Sequence, residues 1–176
     1  MAVVRTEDGR TYVCHDAIND VIAPTRIDAV AVPRGLEVLL AKAELTPEET
    51  ERMVAGGDAG LDAERARAGW APALAQVFFP GMPRALEDRL AGFGSPHTNP
   101  VDEVHHVLDG AVVFGLVLDW GAQALAVIQP GDVLRIFEGT EHWSTLTTDH
   151  RVKTILYLSR PPGYPHAYTD TKIRIT

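Results

Sequence analysis

The chain predicts a mainly β protein, an antiparallel barrel of the jelly-roll kind with a small N-terminal helical region. After Gly94 the sequence becomes a succession of short apolar runs separated by Gly- and Asp-containing turns, the pattern of a closed or double-sheet barrel. From about 35 to 70 it is instead rich in Ala, Glu and Leu and carries helix-start signals. Its 176 residues, 45% apolar and 23% charged, suit one domain with a sizeable core. The expected layout is a single domain over 1–176, with helical elaboration around 35–92 and a barrel core around 93–160.

The elements follow in order. Leu36, Leu39 and Leu40 recur at helical spacing. Thr46-Pro47-Glu48-Glu49 supplies an N-cap, a proline at the first helical position and a Glu that closes a capping box. Further helices are predicted over 62–68, stopped by Gly69, and over 84–90. The latter comes after a strand-like run at 75–79 and a break at Pro80-Gly81. Strands are predicted over 103–108, 111–118, 124–128, 133–137, 142–146 and 152–158. Asp109-Gly110 reads as a hairpin turn between the first two, and Pro130-Gly131-Asp132 as the turn into the fourth. Arg160 to Pro165 reads as loop, followed by a last strand at 172–175.

Charge and cysteine usage exclude several classes. A net charge of -8 argues against nucleic acid or an anionic membrane surface as partner, since either needs a basic patch. Arg65 with Arg67, and Arg151 with Lys153, are short clusters that read as solvated faces. Cys14 is the single cysteine, which fits a reducing compartment. No apolar run is long enough to span a bilayer and the N-terminus lacks a secretory pattern, so the expected location is cytoplasmic.

The chemistry-bearing residues lie in the barrel half. Side chains two apart in a strand share a face, so His97 and Asn99 can face one cavity together, and Glu103 keeps that parity. A strand entering after Gly131-Asp132 and leaving through Gly139-Thr140-Glu141 can bring His142 back to them. Two imidazoles and a carboxylate form a ligand set for Fe(II), Ni(II), Co or Mn that leaves coordination positions open. His105 shares the parity of Glu103 and is a candidate ligand or acid/base. His106 should point outward or into a second layer. His15, His150 and His166 read as surface or hydrogen-bonded residues. Phe137 and Trp143 are candidate cavity walls, and Arg135 is an anion clamp if its face of the strand is inward.

These stretches resemble the two cupin motifs, histidine-x-histidine-x3-glutamate-x6-glycine and glycine-x5-proline-x-glycine-x2-histidine. Asn99 stands where the first motif has its second histidine, and Phe137 where the second has proline. Within the cupins, the stretch from Ile18 to Tyr164 resembles the acireductone dioxygenase family. The similarity is carried by Asp102-Glu103-Val104 running to Asp109-Gly110, and by Gly139-Thr140-Glu141-His142-Trp143 after Gly131-Asp132. The resemblance implies a cupin double-stranded β-helix and a divalent metal, Fe(II) or Ni(II), held in the family by three histidines and a glutamate. It implies O2 addition to an enediol. His97, Glu103 and His142 fall on ligand positions, and Asn99 falls on one without matching it. His105 falls where the family has a substrate-binding arginine.

The departures at Asn99 and His105 point to a diverged oxygenase in specialised metabolism. Its partners would be O2 and a small, polar, metal-chelating molecule: an acireductone-like enediol, or a thiol or amino acid such as cysteine. His97, Glu103 and His142 would hold the ion, with Asn99 in the fourth slot and His105 handling protons. The alternatives are a metal-dependent cupin isomerase or lyase, and a non-catalytic cupin that binds a small ligand after losing its metal.

Overall fold

The structure, a computed structural model, describes residues 1–58, 61, 70–82 and 93–176. In chain order its elements are β1 (Val3–Thr6), β2 (Thr11–Tyr12), α1 (His15–Ile22), β3 (Arg26–Ala29), α2 (Glu37–Ala41), α3 (Pro47–Asp58) and β4 (Leu74–Phe78). They continue with β5 (His97–Thr98), β6 (Glu103–Gly110), β7 (Val112–Val117), β8 (Gln123–Ile128), β9 (Asp132–Ile136), β10 (His142–Leu146), β11 (Val152–Leu158) and β12 (Ala167–Tyr168). The strands form two antiparallel sheets, one ordered β12-β5-β10-β7-β8-β1-β2 and the other β3-β9-β6-β11-β4. Among the described residues no helix is long and apolar enough to cross a membrane.

The inner faces of the two sheets share one core. Val107, Leu134, Ile136 and Val152 of the smaller sheet meet Val4, Phe114, Leu116, Ala126 and Ile128 of the larger, with Ile18 and Ile22 of α1 beside them. The smaller sheet is buried on its outer face as well, where Val104, Leu108, Val133 and Ile155 pack against Leu36, Leu39 and Met53. That second burial explains why every residue of β11 is buried, whereas burial along β8 alternates from Ala124 on. Each fully buried Ile or Leu here contributes about 1.5–3 kcal/mol, enough to fix register, because a slip by one residue would invert every face.

The capping box forms as predicted. Glu49 N–H donates to Thr46 Oγ1, and Thr46 N–H donates back to the Glu49 carboxylate, starting α3. The predicted helices over 62–68 and 84–90 lie outside the described residues.

Asp109-Gly110 is not a hairpin turn: β6 and β7 belong to different sheets. At φ +71° Gly110 carries the chain across from one sheet to the other, and a Cβ there would lie 2.0 Å from the Arg151 carbonyl oxygen. The hairpin is instead β7–β8. Lys153 is no solvated charge either. It is fully buried, donating to Asp109 Oδ2 and to the Leu40 carbonyl at the end of α2.

The sheets also draw on residues before 93, since β1, β2, β3 and β4 all pair into them. No strand forms at 172–175. The Gln123 side-chain amide takes the Lys172 carbonyl and the Arg174 N–H there, in place of a strand partner.

Candidate metal centre

His97 and His142 lie side by side because β5 and β10 pair with these two residues as direct partners. Their ring centroids are 4.5 Å apart. His97 Nδ1 is 2.8 Å from the Ser95 carbonyl, and His142 Nδ1 is 2.9 Å from the Thr140 carbonyl. A carbonyl can only accept, so both Nδ1 atoms carry the proton and both Nε2 atoms keep a lone pair. This is the tautomer and orientation of a metal-binding imidazole. In each case the anchoring carbonyl lies two residues upstream, so one local device sets both rings.

Glu103 opens β6 and is buried with them. Its Oε2 lies 3.3 Å from His105 Nε2 and 3.7 Å from His142 Nε2. Its Oε1 accepts from Asn99 Nδ2 at 2.7 Å and from the Tyr164 hydroxyl at 3.1 Å. Burial alone would raise the carboxyl pKa. The hydrogen bond and charge of His105, with His142 and Tyr164, reverse this and bring it down to about 2. Burial lowers His142 to about 4, against the pull of Glu103. Burial and the adjacent carboxylate raise the Tyr164 phenol. Near neutral pH the site therefore presents an ionised carboxylate beside a neutral His142 imidazole.

His105 follows Glu103 by two residues on the same inner face. Its ring lies 4.7 Å from that of Phe114, and its Nδ1 is buried without a hydrogen-bond partner among the described residues. His106 points the other way, into the layer beneath the helices, and burial lowers its pKa.

The donor chemistry suits a divalent first-row ion: neutral imidazoles with free Nε2 lone pairs and one carboxylate. Among the described residues no three such groups already stand at ligating distances around a common point. Glu103 Oε2 is engaged by His105 instead, and the 3.7 Å between it and His142 Nε2 is longer than a hydrogen bond. On chemistry and orientation, the residues fit the ion.

These groups line a cavity of about 420 Å3, whose walls include Phe78, Phe93, Phe114, Leu146 and Leu156, with Gln76, Ser144 and Thr154 as polar points. None of its described lining residues is Lys or Arg. The three side chains expected to shape the cavity lie elsewhere. Arg135 is on the outer face of β9, because Leu134 and Ile136 take the inner one, and its Nε donates to Asp28 Oδ2 at 3.0 Å. Trp143 is on the reverse face of β10 from His142, over Gly115, where a Cβ would lie 1.9 Å from the indole. Phe137 is 41% exposed in the loop after β9.

Two residues that the sequence reading passed over enter the site. Tyr164 and His166 come from the tail, and both line the cavity. His166, expected to be a surface or hydrogen-bonded residue, is hydrogen-bonded within the site: its Nδ1 lies 2.5 Å from Asn99 Oδ1 and its ring centroid is 4.8 Å from that of His97. Burial lowers its pKa, with His97 adding to the effect. The available signal was the alternation Tyr164, His166, Tyr168, which puts three rings on one face of an extended segment.

No protein-family model matches the chain. An acireductone dioxygenase of Microcystis aeruginosa is 33% identical over 177 residues, covering 99% of this chain and 96% of that protein. One of Trichodesmium erythraeum is 30% identical, covering 98% and 97%. Among solved structures, an acireductone dioxygenase from Bacillus anthracis with a cadmium ion in its active centre superposes with a TM-score of 0.86. It is 20% identical and covers 96% of this chain and 98% of that one. That likeness establishes the cupin fold. Joined to identity sustained along almost the whole length, it places the chain in the acireductone dioxygenase family, cupin enzymes of the metal-dependent dioxygenase type.

Proposed function

We propose that this chain, acting as one cupin domain over residues 1–176, is an O2-dependent oxygenase with Fe(II) or Ni(II) held by His97, Glu103 and His142. Its substrate would be a small enediol-type chelator. The observation that carries this reading is the matched anchoring of two adjacent imidazoles. Both Nδ1–H groups are committed to backbone carbonyls, leaving both Nε2 lone pairs beside one buried carboxylate. An ion held there would act as a Lewis acid, lowering the pKa of a chelating hydroxyl.

His105 is the residue for the substrate proton. Its Nε2–H donates to Glu103 Oε2, which leaves Nδ1 as the basic nitrogen. The aromatic and aliphatic walls exclude water and accept an apolar substituent. With no Lys or Arg among the described lining residues, the cavity suits a substrate with little charge beyond what the metal neutralises. Asn99 and His105 stand where the resemblance implies histidine and arginine. These two differences support a substrate distinct from that of the relatives, in specialised metabolism.

Protein loaded anaerobically with Fe(II) or Ni(II) and offered an enediol without carboxylates, such as reductic acid, should consume O2 in proportion to substrate lost. Turnover that continues without O2 would replace the proposal with an isomerase or lyase. Less than about 0.1 equivalent of bound metal after reconstitution, against the tight binding expected of such a donor set, would indicate a ligand-binding cupin without catalysis.

A further inference from the structure

Asn99 leaves a gap in the imidazole set, and the fold delivers another imidazole to that place. We infer that His166, from the C-terminal tail, supplies the third imidazole of the metal centre, and that Asn99 is a positioning residue that holds it. This rests on the centre of His97, Glu103 and His142 proposed above.

The backbone register makes the delivery specific. β12 pairs with β5 so that Tyr168 lies opposite His97 and Ala167 opposite Thr98. Continuing the same antiparallel count by one residue puts His166 opposite Asn99. Tyr168 packs against His97 with ring centroids 5.9 Å apart, which fixes the face on which the alternate residue His166 emerges.

Ring spacing agrees with a shared ion. Imidazoles bound at adjacent positions through nitrogens about 2.1 Å from a metal have centroids about 4.5–5 Å apart. His97 lies 4.5 Å from His142 and 4.8 Å from His166.

The hydrogen bonds assign the roles. Asn99 Oδ1 faces His166 Nδ1 at 2.5 Å, and Asn99 Nδ2 donates to Glu103 Oε1 at 2.7 Å. The amide oxygen can only accept, so His166 Nδ1 carries the proton and Nε2 keeps its lone pair. Ser95 and Thr140 fix His97 and His142 in the same way, through their backbone carbonyls. Asn99 is thus committed at both ends. It orients one donor by its oxygen and another by its nitrogen, and neither atom is spare for the metal.

The test uses the full chain loaded with Ni(II). X-ray absorption counts coordinated imidazoles, and competition with a chelator gives the affinity. Wild type should show three imidazoles. His166→Ala should show two and bind about 100-fold more weakly, at least as large as the loss from removing an outer-shell partner. Asn99→Ala should keep three imidazoles at saturating metal but lose about tenfold in affinity. Asn99→His with His166→Ala should return the count to three, and that recovery excludes misfolding as the cause of the single-variant loss. Two imidazoles in wild type, or unchanged affinity and count in His166→Ala, overturns the assignment while leaving the three-residue centre standing. A wild type that takes up no Ni(II) overturns both.

Discussion

Glu103 is an ionised carboxylate in a buried place, and it stays ionised through His105, Asn99 and Tyr164 as much as through any metal. Burial of neighbouring imidazoles works in the opposite sense on their own protons. An unfolded chain takes up a proton at His142 near 6.5, whereas the folded one resists until about 4. Between those values the unfolded state binds more protons, so stability must rise with pH. His106 and His166 shift in the same direction, and Glu103 extends the loss from 4.5 down towards 2. The melting temperature of metal-free protein should therefore fall steadily as pH is lowered from about 6.5 to about 4. His142→Gln should flatten part of that slope; a profile level over this range would contradict the burial argument. His105 has a separable role. Its replacement by Ala should leave metal content by elemental analysis near that of wild type and lower turnover by about 10²–10⁴, the usual worth of a positioned acid/base. A parallel fall in metal content would make it a ligand instead.

At the scale of elements, the closure of β6 on β11 depends on a charge cluster. Asp109 Oδ2 accepts from Lys153 Nζ at 2.9 Å and from Arg151 Nε at 2.8 Å. Both cations also donate to the Leu40 carbonyl, tying α2 to the sheet. A register shift between Lys153 and Thr154 lets Asp109 face Lys153 on the outer side. Asp109→Ala would strand a fully buried ammonium, so it should cost about 3 kcal/mol, lowering the melting temperature by about 6–12 °C for a chain of this size. Adding Lys153→Met should recover most of that loss. A double variant no more stable than the single one would show that the charge is not what matters.

None of this cluster was legible in the sequence. A Lys two residues from an Arg reads as surface until the strand opposite is known. Turn chemistry misled in a related way at Asp109-Gly110, where the glycine serves a crossing between sheets. The capping box at Thr46 was legible because its bonds close within four residues.

For the whole molecule, the barrel half was readable because alternation and Gly-containing turns are local properties, and the strands from β6 to β11 lie close to where they were expected. The contribution of β1, β2 and β3 was not readable, since four residues or fewer give too little periodicity. The metal candidates divide along the same line. His97, Glu103 and His142 sit in strands with recognisable spacing, and the structure brings them together. His166 reaches the site beside a two-residue strand, and only the alternation of Tyr164, His166 and Tyr168 marked it locally. Phe137 and Trp143 were expected at the cavity as aromatics and Arg135 only if its face of the strand were inward, and which face looks inward is decided by sheet packing.

The C-terminal tail packs against β1 and its neighbours on the larger sheet. Arg5 contacts the Thr176 carbonyl, Arg174 Nε donates to Glu7 Oε1 at 2.7 Å, and Gln123 grips the backbone at 172 and 174. The tail is therefore a clasp laid across β1 and the start of β8, and Gln123, fully buried, is its fastening. Gln123→Ala leaves the Lys172 carbonyl and the Arg174 N–H without these partners, so it should lower the melting temperature by several degrees. A melting temperature equal to that of the parent would show that the clasp adds nothing to the sheet it crosses.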